Sequence, residues 1–159
     1  IGANNASGDV LLFLHADTIL PSGWKDYVEK LLNNDNIMGG AFLLDIDSKR
    51  LFLKFINWTA NIRARYFGII YGDQSIFVKK YAFYKIGGFK GLTIMEDIDF
   101  VRRLKKTGKV ELIKEKVLTS ERRWEKKGIL TTTIDNYFLL FMYYMGYSPE
   151  RIYRLYYKR

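Results

Sequence analysis

"GDVLLFLHADT", residues 8 to 18, is the stretch from which the fold is predicted. Its "VLLFLH" run (10–15) is continuously apolar rather than alternating, a pattern typical of a central strand in a parallel sheet that is covered on both faces. The run stops abruptly at His15, Ala16 and Asp17. In open α/β sheets, ligands bind outside the carboxyl ends of the strands. The stretch therefore predicts an α/β fold in which Asp17 lies at the functional edge of the sheet.

Strand and helix patterns alternate along the rest of the chain. We predict a helix in 21–34, a strand in 39–47, a helix in 51–68 with apolar residues at the helical spacing Leu51, Phe55, Trp58, Ile62 and Tyr66, a short strand in 75–78 followed by a short helix, a helix in 95–109, a strand in 110–120 and a helical remainder. No repeat or low-complexity linker divides the chain. We predict a single domain, with a sheet and its helices in 1–118 and a basic aromatic helical tail in 119–159.

Composition narrows the class of protein. The 159 residues are 48% hydrophobic and 27% charged, which is typical of one globular domain with a core and excludes disorder. The absence of cysteine excludes disulfides and thiolate metal sites, so a cytoplasmic location is the default. The strongly apolar stretch from Tyr137 to Met145 is shorter than the roughly 20 residues of a membrane-spanning helix, and we predict none.

The positive charge is concentrated in the last third of the chain. Residues 1–101 contain 11 Lys and Arg against 11 Asp and Glu, whereas 102–159 contain 15 against 6, which accounts for the net charge of +9. Such a region suits phosphate groups on a nucleotide, a nucleic acid or an anionic membrane. A solvated surface without a partner explains it equally well.

Three polar clusters are candidates for chemistry. Asp17 could bind a divalent cation whose other ligands are substrate phosphates, or it could cap the turn that follows it. Glu96 and Asp97, with Asp99 close behind, open a helix, and adjacent carboxylates raise each other's pKa as a general base requires. Acidic residues at a helix N-terminus are also common for structural reasons.

The third cluster is "SERRWEKKG" (120–128). Arg122 and Arg123 supply guanidinium donors for phosphate oxygens, and Trp124 supplies an aromatic face for a sugar ring. The same segment also fits a solvated basic helix anchored by one tryptophan.

Four segments in order carry a resemblance to a known family. "ASGDVLLFLHADT" (6–18), "GDQSIFVKK" (72–80), "GGFKGLTIMEDIDFVRRLKKTGK" (87–109) and "TSERRWEKKG" (119–128) resemble the second half of a family 2 glycosyltransferase of the GT-A fold, in particular a subfamily of small bacterial and archaeal transferases. The resemblance covers nearly the whole chain. It implies a mixed, mainly parallel sheet flanked by helices, with the N-terminal nucleotide-binding portion missing, so the chain is expected to be a fragment.

The resemblance implies transfer of a sugar from a nucleotide-diphosphate donor to an acceptor hydroxyl, with inversion at the anomeric carbon. Asp17 would hold Mg²⁺ or Mn²⁺ on the donor diphosphate, where the metal acts as a Lewis acid. Asp97, beside Glu96, would be the base that takes the acceptor proton. The loop Gly72, Asp73 and Gln74 would line the acceptor and sugar side of the cleft.

The sequence departs from the family pattern at two places. His15 stands where relatives often have an acid, and we expect it either to contact the donor ribose or to pack at the strand end. Ser120 replaces the glutamine of a Gln-x-x-Arg-Trp element, which counts against a polymer-building role. The resemblance still implies that Arg123, with Arg122 beside it, faces the leaving diphosphate and that Trp124 packs on the acceptor.

The expected partners follow from the same reasoning. The acceptor would be a small glycoside or a lipid-linked molecule, and the apolar, aromatic and basic segment 136–159 suits an interfacial helix pair at the inner face of an anionic membrane. Helices that cover the sheet, or a homodimer contact, explain that segment as well. The alternative function is a basic aromatic module that binds nucleic acid without catalysis. The nucleic-acid-binding alternative gives Asp17, Asp73 and Asp97 no role. The glycosyltransferase interpretation uses all three, and it expects no nucleic-acid partner.

Overall fold

The architecture is a five-stranded mixed sheet with helices packed against it. This computed structural model describes residues 2–157, apart from the side chains of Arg123 and Lys127. The strands are β1 (Val10–Phe13), β2 (Thr18–Ile19), β3 (Ile37–Asp47), β4 (Ile76–Lys79) and β5 (Lys109–Ser120). The helices are α1 (Gly2–Asn5), α2 (Trp24–Leu32), α3 (Leu51–Ile62), α4 (Lys80–Lys85), α5 (Glu96–Leu104), α6 (Arg122–Lys127), α7 (Ile129–Tyr144) and α8 (Pro149–Tyr157). The predicted α/β class is confirmed.

The sheet is mixed rather than mainly parallel, which corrects the expectation. Its order is β1-β4-β3-β5-β2, and only the β3–β5 pair is parallel. The β1–β4, β3–β4 and β2–β5 pairs are antiparallel. β1, β3 and β5 nevertheless run in the same direction, because β4 reverses direction between β1 and β3. The carboxyl ends of β1 and β5 therefore lie at the same edge of the sheet.

β1 is an edge strand within the described residues, not the central strand that the apolar run predicted. It pairs with β4 alone, and Val10 is 37% exposed. The run is apolar because both faces of β1 are covered: Leu11 belongs to the core beneath α4 and α5, and Leu12 packs against the core beneath α2 and α3. A continuous apolar run therefore indicates that both faces of a strand are covered. It does not indicate that the strand has hydrogen-bonded neighbours at both of its edges.

Two hydrophobic cores lie on opposite faces of the sheet. Along β4, Ile76 and Val78 face the core with α4 and α5, whereas Phe77 faces the core with α2 and α3. This alternation is the two-residue period of a strand. The chain therefore holds the sheet between two helical layers.

The helix predicted after β3 is present, but its predicted apolar spacing faces outward. α3 is followed by a π-helical turn, Arg63–Phe67. Leu51, Phe55 and Trp58 are exposed by 81%, 56% and 58%. The helix instead buries Leu53, Asn57 and Ala60.

The helical tail packs against the beginning of α5. Leu139 and Met142 of α7 and Ile152 of α8 form a third core with Met95 and Ile98. β5 runs on to Ser120, across the expected boundary between 118 and 119. No helix among the described residues is both long and apolar enough to cross a bilayer.

A substitution at Gly40 would test how tightly the middle of the sheet is packed. A Cβ at Gly40 would collide with the backbone oxygen of Glu111 on β5 and with the ring of Phe77 on β4. We expect Gly40→Ala to lower the free energy of unfolding by about 1–3 kcal/mol, measured by urea denaturation, because the backbone must shift. Gly91→Ala is the control, since nothing lies within 4 Å of a Cβ there. Equal stabilities of the two variants would contradict the packing described.

Candidate functional site

A pocket of about 460 Å³ opens at the edge where β1 and β5 end and β4 begins. Loops, two strand ends and the last two helices form its wall. Its lining residues are His15, Asp17, Tyr71, Gly72, Asp73, Ile94, Met95, Glu96, Asp97, Thr119, Ser120, Trp124, Asn136, Leu139, Tyr156 and Tyr157. The structure thus brings together seven residues that the sequence suggested for the site, namely His15, Asp17, Gly72, Asp73, Glu96, Asp97 and Trp124.

Asp97 is half-buried in this pocket and is held from two sides. The backbone N–H of Gly72 donates to its Oδ2 at 2.8 Å, and the backbone N–H of Ile98 donates to its Oδ1 at 2.8 Å. Burial raises the pKa of Asp97 to about 6, with a further upward contribution from the charges of Glu96 and Asp73, while the two N–H donors act in the opposite direction. A carboxylate with this pKa is ionised at neutral pH yet binds a proton readily, as a general base must.

The three acidic residues of α5 do not all face the pocket, because residues 96, 97 and 99 cannot share one side of a helix. Asp99 is buried, and its Oδ2 accepts a hydrogen bond at 2.7 Å from Nε of Arg103 in the same helix. Glu96 is exposed at the pocket rim. Asp99 is therefore a structural ion-pair residue, and Glu96 and Asp97 are the acids that reach the pocket.

The Asp17 backbone is attached to the end of β5. Its carbonyl oxygen accepts from the Ser120 N–H at 3.2 Å, and the hydroxyl of Thr18 donates to Oγ1 of Thr119 at 3.2 Å. The Asp17 carboxylate is exposed and lies 3.3 Å from an Nη atom of Arg122. The turn after β1 is thus anchored, and the Asp17 side chain points to a cationic partner at the pocket rim.

His15 and Gly72 lie against each other. A Cβ at Gly72 would come within 2.8 Å of Nε2 of His15, so glycine is what allows this approach. His15 is exposed and lines the pocket, so it is not packed into the core at the strand end.

Gln74 differs from the expectation. It is fully buried, its Nε2 donates to the carbonyl of Phe42 at 3.1 Å, and its Oε1 accepts from the Tyr71 N–H at 3.3 Å. Both groups of the amide are used inside the fold. Gln74 holds the loop of Gly72 and Asp73 in place and does not line the pocket.

The residues of α6 also have different environments. Trp124 is 7% exposed, packs into the core beneath α3, and also forms part of the pocket wall. Arg122 is exposed beside Asp17. The side chain of Arg123, the predicted diphosphate contact, lies outside the part of the chain that the structure describes.

Tyr71 is a pocket residue that sequence reasoning missed. The Arg63 guanidinium lies 3.6 Å from the centre of its ring. Burial raises the pKa of Tyr71 to about 12, so the phenol keeps its proton at neutral pH. Its position directly before Gly72 was the available signal. Thr119 could have been found from its place at the end of a predicted strand, whereas nothing in the sequence singled out Asn136.

The carboxylates of the pocket are the candidate ligands for a metal ion. Among the described residues, no group of three or more His, Asp or Glu side chains is arranged to hold one. The exposed Asp17 carboxylate fits Mg²⁺ or Mn²⁺ only if substrate phosphates and water supply the other oxygen ligands, which is a common arrangement for Mg²⁺. Such an ion would compete with Arg122 for the Asp17 carboxylate.

No family model matches the chain, and no curated protein matches it.

The raised pKa of Asp97 predicts a pH-dependent stability. Because the folded state binds this proton more tightly than the unfolded chain does, the contribution of Asp97 is largest at low pH and is lost as the pH rises from 3.8 to about 6. We expect wild type to lose roughly 1–3 kcal/mol relative to Asp97→Asn across this range. Urea denaturation at several pH values measures it. Ser120→Ala is the control: it removes an uncharged pocket hydroxyl and should keep the pH dependence of the wild-type free energy of unfolding. If Asp97→Asn also kept that pH dependence, the raised pKa of Asp97 would be contradicted.

Proposed function

We propose that this protein is a GT-A-type glycosyltransferase that moves a sugar from a nucleotide-diphosphate donor to an acceptor hydroxyl with inversion. The observation that carries the proposal is Asp97, a half-buried carboxylate with a raised pKa in the same pocket as the exposed carboxylate of Asp17. Two carboxylates in different environments suit two different roles.

The reaction assigned to the pocket is a single displacement. The acceptor oxygen attacks the anomeric carbon and forms a new C–O bond, while the bond between that carbon and the donor phosphate oxygen breaks. The proton of the acceptor hydroxyl passes to the Asp97 carboxylate. The nucleoside diphosphate leaves with the electron pair of the broken bond.

Asp97 is positioned for this role by the chain itself. The N–H groups of Gly72 and Ile98 fix both carboxylate oxygens, which limits the rotation of the base. Tyr71 beside it remains protonated and offers a neutral phenol rather than another negative charge. Partial burial in the pocket removes some of the water around the base.

Asp17 and Arg122 are assigned to the leaving diphosphate. The exposed Arg122 guanidinium supplies N–H donors for phosphate oxygens. A divalent cation bound by Asp17 would neutralise charge on the departing diphosphate. Trp124 contributes an aromatic wall near these groups, which suits packing against a sugar.

Nucleic-acid binding is the second candidate, supported by the excess of 15 basic over 6 acidic residues in 102–159. The pocket argues against a phosphate backbone there, because Asp17, Asp73, Glu96 and Asp97 all line it and would repel phosphates that no metal accompanies.

Activity assays on two carboxylate variants test the proposal. We expect Asp97→Asn to lower the release of nucleoside diphosphate from a panel of nucleotide sugars by about 10²–10⁴-fold, because the base is lost. Asp17→Ala should remove the dependence on Mn²⁺ together with the activity. Asp35→Asn, which removes an exposed carboxylate outside the pocket, is the charge-matched control and should remain active.

Binding separates loss of chemistry from loss of folding. A thermal-shift series with UDP, GDP, CDP and dTDP, with and without Mn²⁺, should give stabilisation that Asp97→Asn retains and Asp17→Ala loses. Full activity in Asp97→Asn would remove the base assignment. RNA or DNA binding that survives both substitutions, without any nucleotide-sugar turnover, would favour the second candidate.

The pKa of Asp97 also predicts the acid limb of the rate profile. Since only the ionised carboxylate accepts the acceptor proton, the rate should fall as the pH drops through about 6. Initial rates at saturating metal measure this limb. If the residual rate of Asp97→Asn still fell below about pH 6, the fall would belong to another titrating group.

A further inference from the structure

Helix α7 exposes an apolar face to solvent. Leu130, Ile134 and Phe141 are 64%, 65% and 60% exposed, although they are spaced to share one side of the helix. Tyr137, Phe138, Tyr144 and Met145 extend the same side and are also exposed. The opposite side packs into the fold through Thr132 and Leu139. α7 is thus apolar on both sides, and only one of them is covered within the described chain.

Helix α3 has a matching exposed face made of aromatic rings. Phe52, Phe55 and Trp58 are exposed, and their rings contact in series at centroid distances of 6.5 Å and 5.7 Å. Leu51 continues the face at the start of the helix and is 81% exposed. Single exposed apolar residues are ordinary, but a contiguous run of this kind marks an interaction surface.

The two faces meet. The Tyr137 hydroxyl of α7 donates to Oγ1 of Thr59 on α3 at 3.1 Å, directly beside Trp58. A small cavity between the two helices is lined by residues of both, including Ile56 and Thr133. We refer to the exposed residues 51, 52, 55 and 58 of α3 and 130, 134, 137, 138, 141, 144 and 145 of α7 as the apolar face.

Basic residues border the apolar face. Lys49 and Arg50 are exposed just before α3. Lys54 is exposed next to Phe55, and Lys126 is exposed just before α7. The surface combines aliphatic and aromatic side chains with a positive rim.

We propose that the apolar face docks the protein on the surface of an anionic phospholipid bilayer. Interfacial helices bury an apolar face at the boundary of headgroups and acyl chains and place Lys and Arg toward anionic headgroups. Trp58 and Tyr137 are residue types that favour this boundary, since their rings are apolar and their N–H or O–H groups are polar.

The charge of the rim favours an anionic bilayer over a second copy of the chain as the partner of the apolar face. In a two-fold dimer the same patch meets itself, so the positive rims of two chains that each carry +9 would face each other. An anionic bilayer supplies the opposite charge. The aliphatic residues Leu130, Ile134 and Met145 also favour acyl chains over nucleobases, which bind by stacking.

The proposal does not depend on the proposed function, because Phe55 and Phe141 lie outside the lining of the 460 Å³ pocket. Cosedimentation of the full chain with vesicles tests it, using phosphatidylcholine alone and an equal mixture of phosphatidylcholine and phosphatidylglycerol. We expect binding to the mixed vesicles only, weakened by salt. The pair Phe55→Asp and Phe141→Asp should reduce binding roughly tenfold or more for each ring removed.

Tyr81→Asp is the matched control, since Tyr81 is 57% exposed on α4, far from the apolar face in sequence, and should bind as wild type does. A second readout uses phospholipids brominated on the acyl chain: they should quench wild-type fluorescence, and Trp58→Phe should lose most of the quenching while still binding. No binding to mixed vesicles, or undiminished binding by the Phe55 and Phe141 double variant, would overturn the proposal. A wild-type dimer that the double variant converts to a monomer would also overturn it, in favour of a second copy.

Discussion

The contact between the Gly72 N–H and the Asp97 carboxylate is the interaction on which the site depends. It joins the loop before β4 to the first turn of α5, two segments that also pack together in the third core through Tyr71 and Ile98. Gln74 fixes the same loop from below through Phe42, and the absence of a side chain at Gly72 lets His15 approach from the end of β1. The half-buried Asp97 carboxylate and Gly72 thus lie where three segments meet. The raised pKa of Asp97 is the electrostatic consequence of that position.

The class of the fold and the place of Asp17 at the edge of the sheet could be predicted from the residues, because both rest on rules for strands and their carboxyl ends. The convergence of Asp17 with Asp97 and Trp124 was expected only from the family resemblance. The sequence did not predict that Gln74 turns inward while Gly72 and Asp73 face the pocket, because adjacent residues of a short 3₁₀ turn, Gly72–Gln74, carry no periodic signal.

Periodicity also left two choices open. The spacing of Leu51, Phe55 and Trp58 predicted a helix correctly, but a second stripe through Leu53, Asn57 and Ala60 has the same period and is the one that is buried. Only packing decides between two such stripes. The apolar run of β1 was ambiguous for a related reason, since an edge strand between two helical layers is as apolar as a central one.

The hydrogen bond between Thr18 and Thr119 spans 101 residues of chain. On a ribosome, the strand that fastens the Asp17 turn is made about 100 residues after the turn itself. The closure of so long a loop comes late in folding, because its entropy must be overcome before the contact forms. The position of Asp17 therefore depends on the end of β5, and a chain that lacked β5 would also lack the contacts that hold the Asp17 turn.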